Sequence, residues 1–241
     1  MARAELIYGV KTSAKIVALT FDDGPNPAAT LAIAKILKSR HIPATFFEVG
    51  RSIQRHPEIT KALAAEGFSI GNHSWDHPAH ISWMSGDQVQ WEIERTSRLI
   101  ANLTGQRPKY FRPPHGSWTN NLIARAQRQG LKTVLWSVDP GDWKTNNPKL
   151  ITASVDNWTI PGAIIILHDG LQDGTTANVY HDRTGVLAAL PMIIKRLSAA
   201  GYRFVSLDDL FSSGISMSPL GHRVQPDNKP QLASWSHLGQ L

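Results

Sequence analysis

The chain of 241 residues is 41% hydrophobic and 18% charged, with a net charge of +6 and no cysteine. That length fits one sizeable domain with a full core, and the missing thiols exclude disulfides, thiolate metal sites and a cysteine nucleophile. The basic residues are scattered, which argues against a nucleic-acid partner. The positive balance suits an anionic surface such as a cell wall, and no stretch is long enough for a transmembrane segment.

Residues 15–20 form a short apolar run that reads as a buried strand. It stops at a dense set of breakers, 22–27. Residues 28–40 have helical periodicity, 44–49 read as a second buried strand, and 57–66 as a helix closed by Gly67. A short strand over 68–71 runs into His73, and 85–103 form a long helix. A brief strand at 110–111 is followed by a helix over 120–129, a strand over 132–138 and a helix over 148–158. The most apolar strand, 163–167, leads into His168. A helix over 184–200, a strand over 202–207 and a turn at 208–211 complete the pattern.

Buried strands alternating with amphipathic helices predict a parallel sheet covered by helices. The expected architecture is α/β, a (β/α) barrel with about seven parallel strands; a doubly wound open sheet is the alternative. The main domain is expected to span 1–211. Residues 212–241, rich in Ser, Pro, Gly and Gln, read as an extension that wraps the domain or is partly disordered, with Trp235 and Leu238 as anchors.

Polar clusters follow the strands at Asp22-Asp23, 73–77, 112–116, 139–143 and His168-Asp169. In parallel α/β folds the carboxyl ends of the strands open onto one face, so the five clusters should converge. His73 and His77 lie four residues apart, on one side of a helical turn or a tight loop. Such a pair alone is often two surface histidines, but here Asp23 offers a carboxylate to complete a metal site. The adjacent carboxylates of Asp22 and Asp23 repel each other; a metal at Asp23 relieves this and holds Asp22 ionised as a base. Two histidines and one carboxylate leave coordination positions open, as in catalytic zinc sites. The same set suits non-haem Fe(II).

Taken together, the five clusters resemble the polysaccharide deacetylase family, the NodB-type carbohydrate esterases that include chitin and peptidoglycan N-acetylglucosamine deacetylases. Residues 20–24 match Thr-Phe-Asp-Asp-Gly, 73–77 match His-Ser-x-x-His, 112–116 match Arg-x-Pro-x-Gly, 139–143 match Asp-x-x-Asp-Trp, and 166–168 match the last motif, an apolar residue and a histidine around one variable position. The resemblance spans about residues 8–211. It implies a distorted (β/α) barrel with a divalent metal, usually zinc with cobalt able to substitute, on Asp23, His73 and His77. It implies Asp22 as general base, His168 as general acid, Arg112 orienting Asp22, and Asp142 pairing with His168. Trp143 and Ile166 would form the slot for the acetyl methyl. His115 stands where the family usually has tyrosine, and its backbone N–H would serve the oxyanion; Pro114 flanks it.

The resemblance further implies removal of acetyl groups from N-acetylglucosamine residues, or from O-acetylated xylan in some members. A positioned acid favours the amide reaction, because nitrogen leaves less readily than an alkoxide oxygen. Rival readings are an acetylxylan esterase, a non-catalytic glycan-binding protein and a non-haem iron oxygenase. The expected protein is a monomer, secreted or bound to the cell wall with any leader outside this sequence; cytoplasm is the alternative. Trp75, Trp83 and Trp118 lie beside the motif loops, where aromatic faces stack on sugars, although Trp83 is expected to serve packing. Asp76 and Asp169 read as loop caps, His80 and His181 as surface residues, and 173–182 as a groove-shaping loop.

Overall fold

The computed structural model describes residues 6–172 and 182–217. His181, nearly all of the loop expected at 173–182, and most of the 212–241 extension, with Trp235 and Leu238, lie outside the described residues.

The sheet contains β1 (Leu6–Ile7), β2 (Gly9–Lys11), β3 (Ile16–Asp22), β4 (Ala44–Glu48), β5 (Ser69–Asn72), β6 (Tyr110–Phe111), β7 (Lys132–Val134), β8 (Ala163–His168), β9 (Arg203–Phe204) and β10 (Ile215–Met217). Its order is β1-β7-β6-β5-β4-β3-β8-β2-β10, with β9 beside β3. The run from β1 to β8 is parallel, and only β2 and β10 pair antiparallel. Past β7 the chain rejoins the sheet, where Val138 bridges to Ile165 in parallel. The result is a nearly closed barrel, as expected, and not an open doubly wound sheet.

The helices are α1 (Thr30–Lys38), α2 (Gly50–Arg55), α3 (Pro57–Ala65), α4 (Gly86–Thr104), α5 (Asn120–Arg128), α6 (Pro148–Trp158), α7 (Thr184–Ala199) and α8 (Leu207–Ser212). Strand parity sorts the core into two layers. Val17, Leu19 and Phe21 of β3 join Ile165 and Leu167 of β8 in a cluster with Ile33, Leu37, Leu190 and Ile193 of the helices. Ile16 and Ala18 instead join Phe47, Val134 and Ile164 inside the barrel, with Leu207 and Leu210 of α8. The period of two therefore sends Thr20 and Asp22 of β3, and Ile166 and His168 of β8, to the inner side. Asp22 and His168 are register partners.

Several expected elements change. The strand expected over 132–138 ends at Val134, and that expected over 202–207 shrinks to two residues because Ser206 caps α8 by accepting from Asp209 N. The helix α2, missed in the sequence, follows β4 directly. Residues 215–217, inside the expected extension, pair with β2 as β10. No described helix is long and apolar enough to cross a membrane.

Candidate active site

The site forms where β3, β5, β6 and β8 end. Arg112 follows β6 and is fully buried, with 0% of its surface exposed. Its guanidinium donates to Asp22 Oδ1 at 2.6 Å, to Thr20 Oγ1 at 2.9 Å, and to the carbonyls of Val134 and Leu135 at 3.1 and 2.9 Å. It lies 4.1 Å from the centroid of the Phe47 ring. All three guanidinium nitrogens are engaged, so the carboxylate of Asp22 has a fixed place.

Asp23 Oδ1 lies 3.3 Å from His73 Nε2 and 3.2 Å from His77 Nε2. One donor atom from each of the three residues falls within 4.8 Å of the others, the only such cluster among the described residues. His73 Nδ1 donates to the Arg112 carbonyl at 2.7 Å, which fixes the ring with Nε2 toward Asp23. Two imidazole nitrogens and one carboxylate in this arrangement suit a divalent transition metal and leave further positions open. Burial pushes the Asp23 carboxyl up, but His77 and His73 outweigh it and hold it well below the usual carboxylate range.

The segment 73–77 is a tight loop and not a helical turn. Ser74 and His77 have φ of 66° and 52°. Asp23 and His115 are also left-handed, with φ of 76° and 55°. Four of the five non-glycine residues with positive φ among the described residues thus sit here, a concentration of strain on the order of 1 kcal/mol each that the packing must offset. Glu92 of α4 supplies part of that packing, accepting from the N–H groups of Trp75 and Asp76 at 2.8 and 2.9 Å. Asn72 Oδ1 accepts from Ser74 N at 2.8 Å. Gly170 is confined to glycine because a Cβ there would strike the Asp23 carbonyl.

His168 is gripped twice by Asp142, through its N–H at 2.9 Å and its Nδ1 at 2.9 Å. Burial opposes charge on this ring; Asp142 outweighs it, with Asp23 and Asp22 behind, so His168 is pushed up to about 10. Arg183, at the start of α7, donates to the Asp142 carbonyl at 3.2 Å and lies 3.6 Å from Oδ2. Sequence reasoning missed Arg183. The available signal was a buried-side cation at a helix amino end, where it runs against the helix dipole.

The remaining expected residues divide. Ile166 and Pro114 are buried, His115 is exposed with its ring 4.6 Å from that of His77, and Trp143 is 39% exposed. Trp118 is half-buried against Leu6, Ile123 and Leu135, so only part of it is available to a ligand. Trp75 is buried, edge-on to Trp91 and under Arg95, and faces no ligand. Asp76 pairs with Arg51. Asp169 is buried and accepts from Thr30 Oγ1; burial, countered by that bond and reinforced by Asp23, pushes it up to about 7.

Comparison with known proteins points to one family. The model of a family described as polysaccharide deacetylase matches residues 9–134. A chitooligosaccharide deacetylase of Azorhizobium caulinodans is 36% identical over 188 residues, 76% of this chain and 89% of that protein. The peptidoglycan-N-acetylmuramic acid deacetylase PdaC of Bacillus subtilis is 39% identical over 201 residues, 83% of this chain and 40% of that protein. The crystal structure of the Bc1960 peptidoglycan N-acetylglucosamine deacetylase superposes with a TM-score of 0.78 at 34% identity, covering 88% of this chain and 95% of that one.

Proposed function

Because the chain belongs to the polysaccharide deacetylase family, we propose that it is a metal-dependent hydrolase removing acetyl groups from N-acetylglucosamine residues of chitin oligomers or peptidoglycan. The observation that supports this best is the packing of three groups at one barrel mouth: Asp23 with His73 and His77, Asp22 with Arg112, and Asp142 with His168.

Asp23, His73 and His77 would hold the ion, Zn2+ with Co2+ as a substitute. When bound, it supplies Lewis acidity, which lowers the pKa of water and polarises a carbonyl. Asp22 lies against this triad, 3.6 Å from His73 Nε2. It removes the proton as water attacks the acetyl carbon, and Arg112 holds it in line for that transfer. The backbone N–H of His115 meets the oxyanion. His168 carries a proton at neutral pH, because its pKa of about 10 lies well above it. It hands that proton to the departing nitrogen as the C–N bond breaks. Acetate leaves with the oxygen of water, and the sugar keeps an amine. Trp143 and Ile166 line the slot for the methyl, while Pro114, His115 and Trp118 face the sugar.

The substrate places its action at the cell wall or outside the cell. The deciding experiment measures acetate released from N-acetylglucosamine oligomers, peptidoglycan and acetylated xylan. Each is run with protein as purified, after chelation, and after zinc or cobalt is restored. Metal-dependent release from a glucosamine polymer is expected; release from xylan alone would assign an esterase. No release from any substrate by metal-loaded protein would withdraw the catalytic roles.

A further inference from the structure

Trp83, expected to serve core or rim packing, is 64% exposed and so lies outside the core. Its indole lies flat on His80, with centroids 4.8 Å apart and planes 12° from parallel. One face of the indole is thus covered by imidazole, and the other is turned to solvent. The turn that carries it, Ile81–Trp83, is a short 3-10 helix. Ile81 is its root, fully buried with Val89, Phe111 and Leu122. Immediately afterward, Ser85 and Gln88 close a capping box that starts α4. The platform is therefore rigid, and a ligand settling on it would order little further.

Its position ties it to the candidate active site. Ser82 Oγ and Ser117 Oγ are 2.7 Å apart, which joins the turn to the loop that carries His115. The His115 ring packs 4.6 Å from that of His77. Trp83 is one Cα step, about 3.8 Å, beyond Ser82. Resting on the functional reading above, we infer that the Trp83–His80 stack is a sugar-binding platform for a pyranose ring of the polymer that lies beyond the residue being deacetylated and its immediate neighbour. A β-linked glucosamine ring presents axial C–H groups on its faces, and a fixed indole face is an apolar surface of matching size. A polymer substrate extends beyond one sugar, so rings outside the reacting one need contacts of their own.

The test compares zinc-loaded wild type with Trp83→Ala, Trp83→Phe and His80→Ala on the dimer and hexamer of N-acetylglucosamine. For the hexamer, Trp83→Ala is expected to raise KM about tenfold, equal to about 1.4 kcal/mol, with kcat unchanged. Trp83→Phe should recover most of that loss, and His80→Ala should give a smaller rise. The dimer, too short to bridge both places, should keep its KM in all three variants. Equal effects on dimer and hexamer, or no effect on either, would overturn the platform. Hexamer binding is also titrated by calorimetry, which needs no turnover. If wild type released no acetate, the functional reading would fall, and undiminished hexamer binding by Trp83→Ala would separately sink the platform.

Discussion

His73 is held by the main chain of Arg112, whose carbonyl lies 2.7 Å from Nδ1, while the Arg112 side chain reaches Asp22 at 2.6 Å. One residue thus orients a candidate ligand with its backbone and the candidate base with its guanidinium. Substitution separates the two functions, because the carbonyl stays. Arg112→Lys is expected to keep zinc stoichiometry and lower kcat about 10–100-fold, since lysine lacks the planar fork. Metal analysis beside acetate release checks this, and joint loss of metal and rate would contradict it.

Asp22→Asn should bind zinc as wild type does and lower kcat by about 10²–10⁴, the range for loss of a general base. The amide can still accept from Arg112, so the fold is expected to survive; circular dichroism verifies that. Turnover near the wild-type level would remove Asp22 from the role of base.

His77→Ala leaves Asp23 and His73 with too few donors for a tight site. Zinc retained after dialysis should fall from near one equivalent, by metal analysis, to a small fraction. An unchanged zinc content would show that the ion binds elsewhere.

His168 must hold its proton to serve as acid. With its pKa raised to about 10, the acid form prevails below that pH, and the rate should fall as pH rises through it. Asp142→Asn removes the anion that raises it, so the alkaline limb of kcat/KM should move to lower pH. In the same assay, His168→Ala should hurt amide substrates more than activated esters. A limb that stays in place in Asp142→Asn would separate Asp142 from the acid.

Glu48, at the end of β4, is fully buried, and burial raises its pKa to about 8 despite the bond from Thr60. The folded state therefore holds a proton that the unfolded chain releases near pH 4.5. Stability from this group is full below that pH and is lost as pH rises toward about 8. Glu48→Gln mimics the protonated form and removes the slope. Its melting temperature should gain on wild type between pH 5 and pH 9 by at least about 2 °C, the shift that 1 kcal/mol produces at this size. Parallel melting curves at both pH values would refute it.

The barrel was legible where strands are long and apolar, as at β3 and β8, because period-two burial leaves continuous runs there. Its edges were not: β1, β2 and β10 have two or three residues each, too few for any period to register. The candidate site was legible because its residues cluster just after strands. Arg183 and Glu92 escaped, since each reaches the site from a helix and only the tertiary packing brings them in. Trp75, expected beside a sugar, is buried for a related reason. Adjacency to a motif does not reveal which ring the chain turns inward.

Strands β1 and β2 are separated only by Tyr8, yet they pair with opposite margins of the sheet, β7 and β8. This stretch is a clasp across the barrel's seam. Ile7 accepts from Leu135 N at 2.8 Å, and the Leu135 carbonyl accepts from Arg112, which holds Asp22. Three bonds therefore run from the clasp to Asp22. The stretch that shuts the seam also backs the arginine that fixes this carboxylate, so barrel closure and the set of Asp22 share one chain of contacts.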